Sequence, residues 1–282
     1  MKKYGINIRT VASVRLNKSD VAEMVNQLLF GDIVEIINQE PDSRWIYIRK
    51  LSDKTVGYVI FKTILPINNV DFSNYKTPIE ATCSPTSIIY PTKSIENFPL
   101  HNNPLILSIG TSLHNYNKIT STFFVGGQEY YINPQDVNIN NTSLTINKIC
   151  ESVLNTPYLW AGRSVMGFDC SGFVQCIYQV FGLTIRRSSR TIEDKNIFDN
   201  ISSINNAQVG DIILFVNKGK DRPSHCGIYL GNNQVIHCSG FVHMSRIDNI
   251  GIRDEYMEQK DPFCFIHKIL RPKQKDSLVF KF

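Results

Sequence analysis

The sequence lacks long apolar runs, since no window of about 18 residues stays apolar. It therefore predicts no membrane-spanning helix, and we expect no membrane partner. The basic start MKK leads into YGINIRT rather than into an apolar segment, so the sequence also predicts no signal peptide. We expect a cytoplasmic protein, or a periplasmic or secreted one if a leader has been removed.

The chain also carries little excess charge of either sign. The 30 lysines and arginines exceed the 25 aspartates and glutamates by a net charge of only +5, and they are scattered along the chain. Because an arm that binds nucleic acid has clustered basic residues, we expect no nucleic-acid partner. The mild positive balance is compatible with a polyanionic partner such as a cell wall, but it does not require one.

The cysteines form no regular pattern. Their odd number excludes a simple disulfide framework and favours a reducing compartment, where most cysteines are small apolar core residues. With 282 residues, of which 42% are hydrophobic, the chain can bury a core without such bridges. Its length suggests about two domains. The oligomeric state stays open, with a monomer as our expectation. The seven cysteines are Cys83, Cys150, Cys170, Cys176, Cys226, Cys238 and Cys264.

Short β-rich runs separated by turn residues occupy the first half of the chain. They form two loosely similar sets, and each set contains a hairpin and an aromatic strand and leads to a proline. We therefore predict two small β-barrels, over residues 1–68 and 69–140, with a polar linker at 137–143. The runs lie at 31–37, 45–51 and 56–61, and at 106–110, 121–126 and 128–132.

Helical periodicity replaces the strand pattern after the linker. Apolar residues at helical spacing predict one helix near 144–153 and a second over 170–181, ended by Gly182. Helices followed by antiparallel strands indicate an α+β fold for residues 141–282. The strand patterns lie at 211–216, 225–231, 233–239 and 263–272, and a Gly-Asn-Asn turn joins the second to the third.

The stretch GFDCSGF places a cysteine at the predicted start of the second helix. Asp169 has the side chain of an N-cap, and Gly172 gives room for another backbone segment. Cys170 then lies in the first turn, where the positive end of the helix dipole lowers the pKa of a thiol. We predict Cys170 as a nucleophile and Cys176, in the middle of the same helix, as a core residue.

A cysteine nucleophile needs a base, and two histidines flank the predicted hairpin turn. Neighbouring antiparallel strands can hold His225 and His237 on one face, with one imidazole acting as base and the other orienting it. A cysteine follows each histidine, so a zinc site is the alternative. Because successive strand residues point to opposite faces, we expect Cys226 and Cys238 to face the core, and we predict no metal and no cofactor.

Two longer stretches, PYLWAGRSVMGFDCSGFVQ and RPSHCGIYLGNNQVIHCSG, resemble the NlpC/P60 family of cysteine peptidases over roughly residues 143–272. The papain signature C-G-[SA]-C-[WY] is absent. In the first half, ASVRLNKSD, AEMVNQLLFGDIVEI and KTVGYVIFKTILPI are similar to bacterial SH3 domains. The combination resembles the dipeptidyl-peptidase VI type, which are γ-D-glutamyl-L-diamino acid endopeptidases. This resemblance implies a papain-like catalytic domain after two SH3-like barrels.

The resemblance also implies catalytic roles for particular residues. Cys170 matches the family's nucleophile, His225 its base and His237 the residue that orients the base. Tyr158, twelve residues before Cys170, matches a tyrosine near the oxyanion site. There its hydroxyl can donate to the developing negative charge together with the backbone N–H of Cys170.

Substrate contacts are implied in the same way. Asp169 and Ser171 match substrate-contacting positions in the family. Ser188 and Ser189 fall where the family often has Pro-Arg-x-Ser, with a serine that can bind the α-carboxylate of D-Glu. Arg187 is a further candidate partner for that carboxylate.

In the SH3-like part, Glu23 matches an acidic residue that faces the substrate amine, and a solvated loop glutamate is the alternative. Val56 stands where the family often has a tyrosine, so Tyr58 is the candidate to replace it. The implied reaction is cleavage after D-Glu in peptidoglycan-derived stem peptides that carry a free N-terminal L-Ala. An amidase or acyltransferase acting on another amide, or a cell-wall-binding module, is the alternative.

Overall fold

A computed structural model gives the structure of the chain and describes residues 3–68, 72, 75, 80–93, 103–138, 145–253 and 264–273. Two antiparallel β sheets come first along these residues, and a C-terminal unit of helices and a β barrel follows. Within the described residues, no helix is long and apolar enough to cross a membrane.

The first unit is a seven-stranded antiparallel sheet. Its strands are β1 (Tyr4–Asn7), β2 (Val11–Arg15), β3 (Met24–Leu29), β4 (Ile33–Gln39), β5 (Trp45–Lys50), β6 (Val56–Ile60) and β7 (Ile64–Ile67). They lie in the order β3-β2-β6-β5-β4-β1-β7. Alternate residues point inward, and β-branched side chains such as Val14, Ile48 and Val59 fill the core.

The second unit is a four-stranded antiparallel sheet that packs against the first. Its strands are β8 (Thr86–Pro91), β9 (Leu105–Ser108), β10 (Thr122–Val125) and β11 (Gln128–Ile132), in the order β10-β11-β8-β9. Phe30 of the first unit contacts Phe123 and Tyr130 edge to face. The two sheets therefore share one apolar core.

The C-terminal unit places two helices beside a closed barrel. The helices are α1 (Ile146–Glu151) and α2 (Cys170–Val180), and a short hairpin of β12 (Arg163–Ser164) and β13 (Gly167–Phe168) lies between them. Six antiparallel strands close through the pairing of β19 with β20, and β14 pairs with β20 outside the ring. The strands are β14 (Phe198–Ile201), β15 (Ile212–Val216), β16 (His225–Gly231), β17 (Gln234–Ser239), β18 (Phe241–Ile247), β19 (Gly251–Arg253) and β20 (Cys264–Pro272).

The end of α2 has a Schellman motif. Gly182 has a φ of +75°, its N–H donates to the carbonyl of Gln179, and the N–H of Leu183 donates to the carbonyl of Tyr178. The helix packs against β16 and β17 through a shared apolar core that includes Phe173 and Ile177. This packing fixes where the first turn of the helix lies relative to the hairpin.

The structure confirms the α+β order of the C-terminal half and the antiparallel sheets of the first half. The predicted strands agree with the observed ones within two residues, but the sequence analysis missed β1–β3, β7, β8, β12–β14, β18 and β19. Many of the missed strands are short or mix polar with apolar residues. The first two sheets use residues 4–67 and 86–132. The domain limits at 68 and 140 stay predictions.

Candidate active site

Cys170 is the first residue of α2, and the chain around it is tightly held. Oδ1 of Asp169 accepts the backbone N–H of Gly172 at 2.6 Å, which confirms the predicted N-cap. A side chain at Gly172 would collide with the carbonyl oxygen of Gly162, so this glycine lets the two backbone segments meet. The Cys170 side chain is buried at the positive end of the helix dipole.

The hairpin of β16 and β17 brings two imidazoles together. Nε2 of His225 lies 2.9 Å from Nδ1 of His237, and the ring planes are nearly perpendicular at 88°. Gly227 pairs with His237 across the ladder, so the two histidines are diagonal neighbours on one face, as predicted. The turn at 231–233 has a positive φ at each of its three residues, which suits the predicted Gly-Asn-Asn sequence.

The pKa of the Cys170 thiol is lowered well below its ordinary value. The largest cause is a hydrogen bond with the Cys226 thiol; burial opposes it, and a hydrogen bond with His225 and the charge of that imidazole add to it. Because His237 engages Nε2 of His225, Nδ1 is the ring nitrogen that remains for Cys170. The lowered pKa favours the Cys170 thiolate, which is the reactive form of a cysteine nucleophile.

Cys226 has a role beyond filling the core. It is fully buried in the apolar cluster that joins the barrel to α2, as predicted. Its thiol also reaches the Cys170 sulfur, and this hydrogen bond is the largest cause of the raised pKa of Cys226. Cys226 therefore keeps its proton and donates it toward Cys170. Strand alternation could not predict this contact, because it does not say which helix end packs over the position.

Ser245, which the sequence analysis did not single out, extends the row of hydrogen bonds. Oγ of Ser245, on β18, lies 3.0 Å from Nε2 of His237. Burial lowers the pKa of His237 well below its ordinary value, and the charges of His225 and His243 lower it further. His237 is therefore a neutral imidazole. The strand FVHMSRI shows no clear two-residue alternation, so no sequence signal indicated Ser245.

Tyr158 lies at the half-exposed edge of the site. Its backbone N–H donates to the carbonyl of Gly240 at 2.8 Å, which fixes the YLW segment against the start of β18. The pKa of the Tyr158 phenol is raised to about 12, first by burial and then by the charges of Cys170 and Asp169. The hydroxyl therefore keeps its proton at neutral pH and can donate a hydrogen bond near the nucleophile.

Asp169 and Ser171 are bound to Arg187 within the protein. The guanidinium donates to the two Asp169 oxygens at 2.9 and 2.6 Å and to Oγ of Ser171 at 2.8 Å. Its other N–H groups reach Oδ1 of Asn26 at 2.8 Å and the carbonyl of Gly162 at 3.5 Å. These contacts use all five donors of Arg187, so none remains for a substrate carboxylate, contrary to our prediction. The substrate roles of Asp169 and Ser171 stay predictions.

The same network continues into the first sheet. Asn26 donates to Oδ2 of Asp53 at 3.0 Å, and Lys50 forms ion pairs with Asp53 at 3.2 Å and with Asp32 at 3.1 Å. Arg163 of the C-terminal unit also pairs with Asp32, at 2.9 Å. Lys50 is 1% exposed, so these charges compensate one another away from water. Lys50 and Asp53 are three residues apart, but the contacts with Asn26, Asp32 and Arg163 are revealed only by the tertiary packing.

Ser188 and Ser189 differ in their access to a ligand. Ser188 is exposed, and its Oγ accepts the backbone N–H of Arg190 at 3.3 Å. Ser189 is buried, and its Oγ lies 3.5 Å from the carbonyl of Pro223. Ser188 lines a cleft of about 690 Å³ between the first sheet and the C-terminal unit, together with Val25, Asp53, Lys54, Thr55 and Arg186. The carboxylate-binding role of either serine stays a prediction.

Glu23 reaches across to the C-terminal unit, whereas Tyr58 does not. Oε1 of Glu23 accepts the indole N–H of Trp160 at 3.0 Å, two residues from Tyr158. The glutamate is exposed, and its Oε2 has no partner in the part of the chain that the structure describes. Tyr58 packs against Tyr47 on the neighbouring strand, with ring centroids 4.9 Å apart, and its described contacts stay within the first sheet.

Metal-binding groups do not cluster in the described ranges. No set of three or more histidine, cysteine, aspartate or glutamate side chains there could hold a metal ion. All seven cysteines are buried and free of disulfide bonds. The chemistry that the described side chains supply is therefore a thiolate, a base and hydrogen-bond donors.

Part of the chain matches a known protein family. Residues 155–261 match the sequence profile of the NlpC/P60 family. The chain is 29% identical over 234 residues to the γ-D-glutamyl-L-lysine dipeptidyl-peptidase of Bacillus cereus, which covers 76% of this chain and 67% of that protein. It is 24% identical over 230 residues to dipeptidyl-peptidase 6 of Lysinibacillus sphaericus, which covers 77% of this chain and 81% of that protein.

The chain is also similar to a third relative over a shorter stretch and to a solved structure over most of its length. The chain is 34% identical over 123 residues to the probable peptidoglycan endopeptidase LytE of Bacillus subtilis, and it spans 35% of the length of that protein. The crystal structure of an NlpC/P60 family protein from Bacillus cereus superposes with a TM-score of 0.72 at 20% identity, covering 95% of this chain and 99% of that one. The overall fold of the two proteins is therefore the same.

Proposed function

We propose that the chain is a peptidoglycan peptidase of the γ-D-glutamyl-diamino acid type, since its residues 155–261 match the NlpC/P60 family. Its substrates would be peptidoglycan-derived peptides with a free N-terminal L-Ala, as in cell-wall turnover or recycling. The observation that carries the proposal is the 2.9 Å contact between His225 and His237 beside the Cys170 thiol of lowered pKa. Two relatives that match most of the chain are named as dipeptidyl-peptidases.

In the proposed reaction, the Cys170 thiolate attacks the γ-carbonyl carbon of D-Glu, and the carbonyl oxygen takes up the negative charge. The Tyr158 hydroxyl and the backbone N–H of Cys170 donate to that oxygen. The His225 imidazolium gives its proton to the leaving amine, so that a thioester remains on Cys170. Water then loses a proton to His225 and attacks the thioester, which restores the thiolate and the imidazolium.

His237 supports this cycle without changing its own charge. The lowered pKa of His237 keeps it neutral, so its Nδ1 can accept the Nε2–H of a positively charged His225. This contact holds the base in one orientation and stabilises its charged form. His237 therefore matches the orienting member of a catalytic triad.

Recognition of a free amine is proposed to depend on Glu23. Its carboxylate accepts the indole N–H of Trp160, which is two residues along the chain from Tyr158. An ammonium group of the substrate would pair with the exposed carboxylate. Ser188, which lines the cleft between the units, is the proposed contact for the D-Glu carboxylate.

We propose that the two N-terminal sheets are SH3-like modules and that the C-terminal unit is papain-like, with domains at 1–68, 69–140 and 141–282. Reduced thiols support a cytoplasmic location, because all seven cysteines are free. We also propose a monomer, which size-exclusion chromatography with light scattering would test. A dimer of twice the chain mass would contradict that part of the proposal.

Hydrolysis of defined peptides tests the reaction. The purified chain is incubated with L-Ala-γ-D-Glu-meso-diaminopimelate and with the L-lysine form, and products are identified by mass spectrometry. We expect release of L-Ala-D-Glu, and no release by Cys170→Ala. Cys176→Ala, which removes a buried thiol from the same helix, is the matched control and should stay active. Turnover by Cys170→Ala would overturn the nucleophile assignment.

The amine requirement needs its own comparison. N-acetylated and free-amine substrates are compared for the native chain, for Glu23→Gln and for Glu40→Gln, whose exposed carboxylate pairs with Lys18 elsewhere on the first sheet. We expect Glu23→Gln alone to lose the preference for the free amine through a higher KM. Equal cleavage of both substrates by the native chain would contradict the proposed role of Glu23 in recognising a free amine. Binding of peptidoglycan without cleavage would favour a binding module, and cleavage of a different amide would favour the amidase or acyltransferase alternative.

A further inference from the structure

We propose that Ser245 is a positioning residue that supplies the acceptor for the Nε2–H tautomer of His237, which is the tautomer that a charged His225 requires. The inference rests on the catalytic roles proposed for Cys170 and His225. It concerns a hydrogen bond on the far side of His237 from the nucleophile, where Oγ of Ser245 lies 3.0 Å from Nε2 of the ring.

The fold places Ser245 firmly against His237. On β18, His243 pairs directly with His237, and Ser245 pairs with Val235 two residues further along the ladder. Ser245 is 5% exposed and His237 is 2% exposed. Bulk water is therefore a poor substitute for the serine hydroxyl at Nε2, and the serine is the polar partner that the fold supplies there.

The position of the proton on His237 determines what the Ser245 hydroxyl does. A neutral His237 carries one N–H, on either Nδ1 or Nε2. When His225 is an imidazolium, its Nε2–H points at Nδ1 of His237, so Nδ1 must be the lone pair and the proton must lie on Nε2. That N–H then donates to Oγ of Ser245. The serine hydroxyl can donate as well as accept, but only the Nε2–H tautomer of His237 leaves Nδ1 able to accept the Nε2–H that a charged His225 carries.

Loss of the Ser245 hydroxyl would shift the equilibrium of Cys170 and His225 away from the thiolate–imidazolium pair. Without an acceptor, the Nε2–H of His237 would be buried and unsatisfied whenever His225 is charged. The proton on His237 would then favour Nδ1, where it opposes the Nε2–H of His225. The neutral thiol and neutral imidazole would then be favoured over the ion pair, so that less Cys170 thiolate would form at a given pH.

Titratable groups surround His237, and the ionisation of one of them allows the effect of Ser245 to be measured. His225 faces it from β16 and His243 lies beside it on β18, with ring centroids 4.9 and 4.4 Å away. Cys170, at the start of α2, lies beyond His225. Of these groups, the Cys170 thiolate is the one whose formation can be followed chemically, by its reaction with iodoacetamide.

The experiment compares Ser245→Ala, Ser245→Thr and Ser245→Cys in the full chain. Ser87→Ala is the matched control, because Ser87 is also buried on a strand and its Oγ has no hydrogen-bond partner in the described part of the chain. Circular dichroism verifies folding. Alkylation of the Cys170 peptide is measured against pH by mass spectrometry, and kcat and KM are measured for the peptide substrate.

We expect Ser245→Ala to raise the pH midpoint of Cys170 alkylation by about one unit and to lower kcat about tenfold, with KM within about twofold of the native value. Ser245→Thr should stay near the native protein and Ser245→Cys, a weaker acceptor, should fall between. If Ser245→Ala does not fold, the order of the threonine and cysteine variants decides. An alkylation midpoint equal to that of the native protein in Ser245→Ala or Ser245→Cys would overturn the proposal. A Ser245→Thr variant with the same loss of kcat as Ser245→Ala would overturn it too.

Failure of the proposed function would look different. A native chain that alkylates Cys170 at neutral pH but cleaves no stem peptide would contradict the substrate, while the alkylation midpoints would still decide the role of Ser245. A native Cys170 without enhanced reactivity at neutral pH would overturn both.

Discussion

Arg187 donates hydrogen bonds to both carboxylate oxygens of Asp169, at 2.9 and 2.6 Å, immediately before Cys170 in the chain. Both side chains are about one tenth exposed. The same carboxylate caps α2, and the same guanidinium reaches Asn26 on the first sheet. One ion pair therefore connects the N-cap of the catalytic helix to a different unit of the protein, and it accounts for the absence of a free donor on Arg187.

Removing this guanidinium should destabilise the fold. Arg187→Met leaves the buried Asp169 carboxylate uncompensated, and we expect the free energy of unfolding to fall by about 3–5 kcal/mol in urea denaturation. Asn also caps helices well, so Arg187→Met combined with Asp169→Asn should be more stable than Arg187→Met alone. Arg44→Met, at an exposed ion pair with Asp20, is the control and should change stability little. Simple additivity of the two buried substitutions would contradict the prediction.

Cys226 should lower the pKa of the nucleophile through its thiol. We expect Cys226→Ala to raise the pKa of Cys170 toward its ordinary value, because the largest cause of the lowering is the hydrogen bond from Cys226. The midpoint of Cys170 alkylation against pH measures the shift. Cys150→Ala, at a fully buried thiol on α1, should leave the midpoint unchanged. An unchanged midpoint in Cys226→Ala would show that the thiol is only a core residue.

Tyr158 should act on the transition state rather than on binding. We expect Tyr158→Phe to lower kcat by about 10²- to 10³-fold with little change in KM, as for loss of one oxyanion donor. Tyr131→Phe, at an exposed tyrosine of the second sheet, is the control. A change in KM alone would indicate that the hydroxyl binds substrate in its ground state.

The pH dependence of thiol reactivity should separate Cys170 from the other cysteines. Its pKa is lowered well below the ordinary value, so its thiolate forms at a lower pH than those of the other cysteines and is lost as the pH falls through that lowered value. Burial raises the pKa of Cys83 to about 11 and that of Cys238 to about 12, so their thiolates form only as the pH rises toward those values. Iodoacetamide at pH 7 should therefore modify Cys170 first, as read by peptide mass spectrometry. Equal modification of several cysteines would contradict this.

Local sequence signals determined much of this protein. Asp169 before an apolar stripe, with glycines at close approaches and at the helix end, specifies where α2 begins and ends, because capping depends on neighbours in the chain. Alternation around a Gly-Asn-Asn turn likewise placed His225 and His237 on one face. These patterns were sufficient to predict that Cys170 lies at the start of α2, that the two histidines share a face, and the α+β order of the C-terminal half.

Only the tertiary structure decided which groups complete the site. Ser245 is eight residues from His237, on a strand without a clear pattern, and Asn26 is 161 residues from Arg187. Cys226 was correctly predicted as a core residue, yet its contact with Cys170 depends on how α2 packs across β16. Hydrogen bonds and ion pairs act over about 3 Å whatever the sequence separation, so their partners are set by the packing of whole units, whereas caps, turns and strand alternation are set within a few residues of chain.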